Sequence, residues 1–132
     1  EITIFGGNQL RPNIHIKDMV EAYLTLINAP IEKITGNIFN AGDENKSVLE
    51  LAETVKQVIG SDVNLIKSNS DDNRSYHISS EKIKNELGFA TNYSIKNAAE
   101  DLKMAFENKT LVDTLSNEFY FNIKRMQNIS LK

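Results

Sequence analysis

Apolar residues along this chain switch between a two-residue and a three-to-four-residue spacing, and the switches mark out its elements. Ile2, Thr3, Ile4 and Phe5 are β-type residues, and Gly6-Gly7-Asn8 is a strong turn signal. A second short strand is expected over Asn13–Ile16, with Pro12, which lacks an N–H, at its start or on a sheet edge. Asp18 then reads as a helix N-cap. Met19, Val20, Ala22, Tyr23, Leu24, Leu26 and Ile27 make the helix behind it apolar over a wide arc, which predicts burial, and Ala29-Pro30 ends it near Asn28.

A third strand is expected over Asn37–Ala41, followed by a loop at Gly42-Asp43-Glu44-Asn45. Ser47 and Glu50 form a capping box for a helix carrying Val48, Leu51, Ala52, Val55, Val58 and Ile59, which Gly60 stops. Val63–Ile66 and Ser75–Ile78 are further strand candidates, separated by a polar loop from Ser68 to Arg74. Ser79 or Ser80 caps a brief helix through Ile83 to Leu87, closed by Gly88. Ser94 caps a helix whose apolar positions 95, 98, 99, 102, 105 and 106 recur every three or four residues. Past Asn108 the pattern fades into a polar tail with one aromatic knot, Phe119-Tyr120-Phe121. Short strands alternating with capped helices predict an α/β domain of α+β-like character. No internal repeat and no linker divides it.

Composition narrows the function classes. A chain of 132 residues suits one domain and can bury roughly two-thirds of its extended surface. The net charge of −3 argues against nucleic acid or an anionic membrane as the main partner, while leaving room for a local basic pocket. The absence of cysteine excludes disulfides, thiolate catalysis and zinc–thiolate sites, and fits a cytoplasmic location. No apolar run approaches the ~20 residues that span a bilayer. The first residue is Glu1, so the chain is expected to start inside a longer protein.

Reaction chemistry is hard to find in these residues. Gly6-Gly7 is followed by a strand, not a helix, and so fails the context of a phosphate-cradling glycine loop. His15 and His77 lack a second metal-ligand residue at helical spacing, which favours satisfied strand histidines over ligands. Asp71-Asp72 reads first as a solvated loop, since adjacent carboxylates there point apart; acid–base catalysis is the sharper alternative. Arg11 and Arg74 are cationic forks suited either to phosphate oxygens or to a neighbouring acid. From the residues alone, the chain is a binding domain without a reaction centre.

The order of motifs adds to this. A strand, a turn, Arg11 and an Asp18 helix come first. Then follow Gly36-Asn37-Ile38-Phe39-Asn40-Ala41-Gly42, the Ser47-Val48-Leu49-Glu50-Leu51 helix, Asp72-Asn73-Arg74-Ser75-Tyr76, and a Lys82-Ile83…Leu87-Gly88-Phe89 helix end. Over about residues 1–107 this set resembles the C-terminal part of the extended short-chain dehydrogenases/reductases, the nucleotide-sugar epimerases and dehydratases. The resemblance implies a nucleotide-sugar-binding region at residues 1–109 and a C-terminal tail at 110–132, with the Rossmann domain that holds NAD or NADP absent from this chain. It implies diphosphate contacts from Arg11 and Arg74, and an orienting or ribose-binding role for Asp72, with Asp71 as the alternative. Ile4, Phe5 and Gln9 fall beside the nucleotide base, with burial the other fate of Ile4. Asn40 and Gly42 are expected to be turn and packing residues, and Tyr76 and Phe89 core residues. Before Asp72 this chain has Ser70-Asp71 where the family often has proline-glycine or glycine-histidine, so the loop shape is expected to differ. The family's Tyr-x-x-x-Lys pair is not matched, because Tyr120 and Lys124 follow the substrate region and read as a tail pair.

The intact protein is thus expected to be an NAD(P)-dependent nucleotide-sugar epimerase, dehydratase or dehydrogenase, and a homo-oligomer. This chain is expected to grip the diphosphate, bind no cofactor or metal, catalyse nothing alone, and self-associate through apolar surface. A non-catalytic α/β binding or interaction module is the alternative.

Overall fold

The computed structural model describes residues 1–72 and 74–130; Asn73 of the Asp72–Tyr76 run lies outside the described residues. The strands are β1 (Ile2–Phe5), β2 (Leu10–Pro12), β3 (Asn45–Ser47) and β4 (Leu65–Ser68). They pair two by two. β1 runs parallel to β4, with Ile2 opposite Leu65 and Phe5 opposite Ser68. β2 runs antiparallel to β3, with Arg11 opposite Lys46. The helices are α1 (Ile16–Asn28), α2 (Ile31–Ile34), α3 (Val48–Ile59), α4 (Glu81–Leu87), α5 (Ile95–Glu107) and α6 (Asn122–Asn128), with a 3₁₀ turn at Glu118–Tyr120. The α/β class expected from the alternation is the class observed.

A parallel pair needs a crossover, and α3 belongs to it, packing on both β1 and β4. Its start is the capping box read from the sequence. Ser47 Oγ accepts the Glu50 N–H at 3.2 Å, and Glu50 Oε2 accepts the Ser47 N–H at 2.7 Å. Ser94 and Asn97 repeat the device ahead of α5: Ser94 Oγ accepts the Asn97 N–H, and Asn97 Oδ1 accepts the Ser94 N–H. Ile4 is fully buried, as strand burial predicts. A separate core joins Ala22 of α1 to Ile83 of α4 and to Phe89, with Ile14, Phe39, Ala41 and Leu87 packed around it. Gly42 is a packing residue, since a Cβ there would stand 2.6 Å from Ile78 Cδ1.

Several expectations give way. Asp18 is not the N-cap of α1. The helix starts three residues earlier, at Ile16, and His15 caps it, with Nδ1 accepting the Lys17 N–H at 3.1 Å. The strand expected over residues 13–16 is displaced to Leu10–Pro12, because β3 lies alongside that stretch and Ile16 is already helical. Asn37–Ala41 forms no ladder among the described residues; Phe39 and Ala41 serve the core through side chains alone. Ser75–Ile78 forms no ladder among the described residues; the Tyr76 N–H donates to the Leu10 carbonyl at 3.4 Å, and side-chain bonds hold the far end. Asn45 donates to the Ile78 carbonyl at 3.0 Å and accepts its N–H at 2.9 Å. The strand expected at 63–66 forms at Leu65–Ser68, where β1 supplies the partner. α2, the 3₁₀ turn and α6 had no periodic signal long enough to announce them.

The expected burial of α1 also fails. Only Asp18 and Ala22 of this helix are buried. Ile16, Val20, Tyr23 and Ile27, spaced along one face, are 70%, 51%, 62% and 74% exposed.

The chain divides into two compact units, Glu1–Asp101 and Leu102–Lys132. In the second, Glu118 holds the tail together by accepting from Arg125 at 2.5 Å and from Asn128. Arg125 stacks over Phe119, and Lys124 lies over the Phe121 ring.

Candidate functional site

The Gly6-Gly7 turn comes first. Both glycines have positive φ, 77° and 126°, a backbone state that side chains resist. Gln9 braces this turn. Its Oε1 accepts the Gly7 N–H at 2.6 Å, and its Nε2 donates to the Phe5 carbonyl at 2.7 Å. Both ends of the Gln9 amide are therefore engaged by backbone. A Cβ on Gly6 would meet the Gln9 amide at 2.7 Å, so the glycine and the glutamine form one unit. The turn leads into β2, and so does not make the strand-to-helix phosphate cradle of a dinucleotide site.

β2 presents Arg11. Its Nη1 donates to the Leu10 carbonyl at 2.9 Å and to the Arg74 carbonyl at 2.5 Å, 63 residues away in sequence. Its Nη2 reaches Asp72 Oδ2 at 3.4 Å, and the guanidinium carbon stands 5.3 Å from the centre of the Tyr76 ring. Tyr76, expected in the core, is 54% exposed, because its ring faces this cation. Arg11 is held at 24% side-chain exposure.

Asp72 ties the second arginine to the first. Arg74 grips it bidentately, Nε to Oδ1 at 2.7 Å and Nη2 to Oδ2 at 2.9 Å. The Arg74 N–H also donates to Oδ1 at 3.1 Å, and Asp72's own N–H donates to Ser70 Oγ at 3.1 Å. These local bonds shape the loop without the proline-glycine step of the family pattern. Arg74's side chain is 81% exposed, so this ion pair is solvated and its stabilisation modest. Ser75 Oγ accepts the Leu10 N–H at 2.9 Å and joins the loop to β2.

Gly6, Asn8, Gln9, Ser70, Asp72 and Ser75 line a cleft of about 350 Å³. Three of the four residues expected to bind substrate thus meet at Asp72, and Gln9 lines the same cleft. Sequence reasoning missed Asn8, Ser70 and Ser75. The Ser-x-Asp spacing of an ST-type turn was the one local signal for Ser70. A larger cavity, about 750 Å³, lies beside Lys17, Glu21 and Tyr93 but holds no arginine.

Asp72's carboxyl is held well below the usual carboxylate range, first by the Arg74 side-chain bond and then by the Arg74 N–H. A depressed folded value means that its contribution is complete above the unfolded carboxyl value and fades as pH falls below it. The Arg74 Nε–H resonance is expected to stay fixed from about pH 8 to about pH 5 and to shift only below about pH 4. A midpoint near neutrality would show that Asp72 is not its partner.

Asp18, prominent in the motif order, has a structural role other than the one expected. It is 1% exposed, and its two carboxylate oxygens accept the Asn92 and Tyr93 N–H groups, each at 3.0 Å. It staples the loop after Phe89 to α1. His15, equally buried, stacks on Tyr93 at 4.8 Å and points Nε2 at Asp101, 3.5 Å away. Lys17 closes this group with a 2.7 Å bond to Asp101. His15 is therefore a satisfied histidine, though at a helix start and not in a strand.

Parts of this chain, and its fold, are similar to known proteins. Residues 1–42 match the model of the NAD dependent epimerase/dehydratase family. UDP-D-apiose/UDP-D-xylose synthase 2 of Arabidopsis thaliana is 44% identical over 55 residues, 40% of this chain and 14% of that protein. L-threonine dehydrogenase from Phytophthora infestans superimposes with a TM-score of 0.71 at 14% identity, over 82% of this chain and 37% of its own. UDP-glucose 4-epimerase from Thermotoga maritima, solved with UDP-glucose, gives 0.70 at 22% identity, over 84% and 36%. The family match is confined to the first 42 residues, and the two solved structures, at 14% and 22% identity, show a shared fold. The chain spans little more than a third of the solved chains it matches. No helix among the described residues is long and apolar enough to cross a membrane.

Proposed function

We propose that this chain is the substrate-side portion of an NAD(P)-dependent nucleotide-sugar epimerase, dehydratase or dehydrogenase, and that Arg11 and Arg74 grip the diphosphate of the substrate. The observation that carries this is their convergence: two guanidinium groups from distant parts of the sequence donate to one oxygen, Asp72 Oδ2. A carboxylate oxygen and a phosphoryl oxygen have the same acceptor character, and forked arginines suit both. Leu10, Ser75 and the Gly6–Gln9 turn fix the cleft beside them, so the diphosphate would be held against rigid backbone. With the phosphates fixed, the sugar is aligned for hydride transfer to a nicotinamide held by the rest of the protein. In this reading the chain alone binds no cofactor and is inactive, and the intact enzyme is a cytoplasmic homo-oligomer.

Titration of the chain and of the intact protein with UDP-, GDP-, CDP- and dTDP-sugars tests the reading, with NAD(P)H absorbance followed for the intact protein. Arg11→Ala and Arg74→Ala are expected to weaken every nucleotide sugar. Unchanged affinity in both variants would defeat the diphosphate assignment.

The alternative, a non-catalytic interaction module, draws support from the exposed apolar face of α1. The same face is compatible with the enzyme reading if the rest of the protein covers it. In either case the isolated chain is expected to self-associate through Ile16, Val20, Tyr23 and Ile27. Sedimentation at rising concentration should show dimers or larger species, and Val20→Lys with Tyr23→Lys should restore the monomer. A monodisperse monomer at all concentrations would refute it.

A further inference from the structure

We propose that Asp72 is an internal counter-ion that competes with ligand phosphate for Arg11 and Arg74, so that an anion able to engage both arginines displaces it and a single carboxylate does not. This rests on the diphosphate reading above. The family resemblance offers Asp72 as a residue that orients Arg74 or touches the ribose; the geometry points to the opposite sign.

Asp72 uses both oxygens on the arginines, Oδ1 on Arg74 and Oδ2 on Arg74 and Arg11 together. Oδ2 therefore sits where the two forks meet, the position a bridging phosphoryl oxygen needs. A phosphate cannot share that position, since two anions would have to stand in contact. The two arginines are held very differently. Arg11 is fixed by two backbone carbonyls that no ligand replaces. Among the described residues, Arg74's side chain bonds to Asp72, and it is mostly in water. Arg74 is thus the mobile arm: it can leave Asp72 for an incoming phosphate while Arg11 stays in place. Exchanging one carboxylate for another gains nothing at such a site. A diphosphate offers one phosphoryl group to each arginine, and replaces a solvated pair with a doubly bridged anion.

Asp72→Asn separates the two roles. Its Oδ1 can still accept the Arg74 N–H, which keeps the loop turn, while the competing charge is gone. The 132-residue chain and this variant would be titrated with sodium pyrophosphate and with sodium acetate at constant ionic strength, followed by the arginine Nε–H resonances. The wild-type chain should bind pyrophosphate, with the Arg74 Nε–H shifting and no saturable response to acetate. Asp72→Asn should tighten pyrophosphate about fivefold, the scale of an exposed ion pair, and give acetate a saturable response. Equal or weaker pyrophosphate binding in Asp72→Asn would overturn the proposal and make Asp72 a positioning residue. Pyrophosphate binding that survives Arg11→Ala with Arg74→Ala would instead overturn the diphosphate site itself.

Discussion

Asp18→Ala is expected to destabilise the chain by about 3 kcal/mol, the scale of two charge-assisted hydrogen bonds lost from a buried acceptor. For a chain of this size that is a drop of roughly 10 °C in Tm. The carboxylate is fully enclosed and takes the Asn92 and Tyr93 N–H groups together, so its removal frees the segment that connects Phe89 to α5. Tyr93 also carries the ring on which His15 stacks, so the His15–Asp101–Lys17 group should loosen with it. A helix cap would behave differently. Asn and Ser cap about as well as Asp, so Asp18→Asn and Asp18→Ser would be nearly silent if Asp18 were a cap. As a staple, Asp18→Asn keeps one acceptor and turns an NH₂ group towards the other N–H, and should lose about half of the full effect. Thermal unfolding of the three variants distinguishes the two roles. A silent Asn variant would count against the staple.

Arg11→Ala is expected to weaken nucleoside diphosphate binding about ten- to hundredfold, from about 1.5–3 kcal/mol for a charge-assisted bond. The effect should exceed that of Arg74→Ala, because Arg11 is half-enclosed and pre-aligned by the Leu10 and Arg74 carbonyls, whereas Arg74 must be ordered from solvent when it binds. Arg11→Lys should recover only part of the affinity. An ammonium keeps the charge but cannot bridge the Arg74 carbonyl and an anion with a planar fork. Isothermal titration with UDP measures all three, and circular dichroism checks that each variant is folded. Arg11→Lys binding as tightly as wild type would show that the fork geometry is not used.

Much of this fold is legible in the residues, and the legible parts are local. The Ser47–Glu50 box and the stops at Gly60 and Gly88 depend on bonds within a few residues, and each is where the sequence puts it. Strand placement was less accurate, because a ladder needs a partner from elsewhere. Asn37–Ala41 has the right residue types and no partner among the described residues. β4 lies two residues later than its apolar pattern suggests, where β1 can pair with it. For the site, the resemblance supplied Arg11, Arg74 and Asp72. No pattern in the chain says that Asp72 bridges the two arginines, that Tyr76 lies against one of them, or that Gln9 is occupied with its own turn.

The sequence by itself determined the Ser47 and Ser94 helix caps, the glycine turn, the α/β alternation and the arginines available for an anion, because each depends on residue chemistry or on spacing along a few positions. Tertiary structure alone decided that Arg11 meets Asp72 and Arg74 across more than 60 residues, and that Asp18 spends its carboxylate on Asn92 and Tyr93. Those assignments depend on which distant backbone groups chain closure brings within 3 Å or so of a charged side chain, and a buried charge takes the donors that packing delivers.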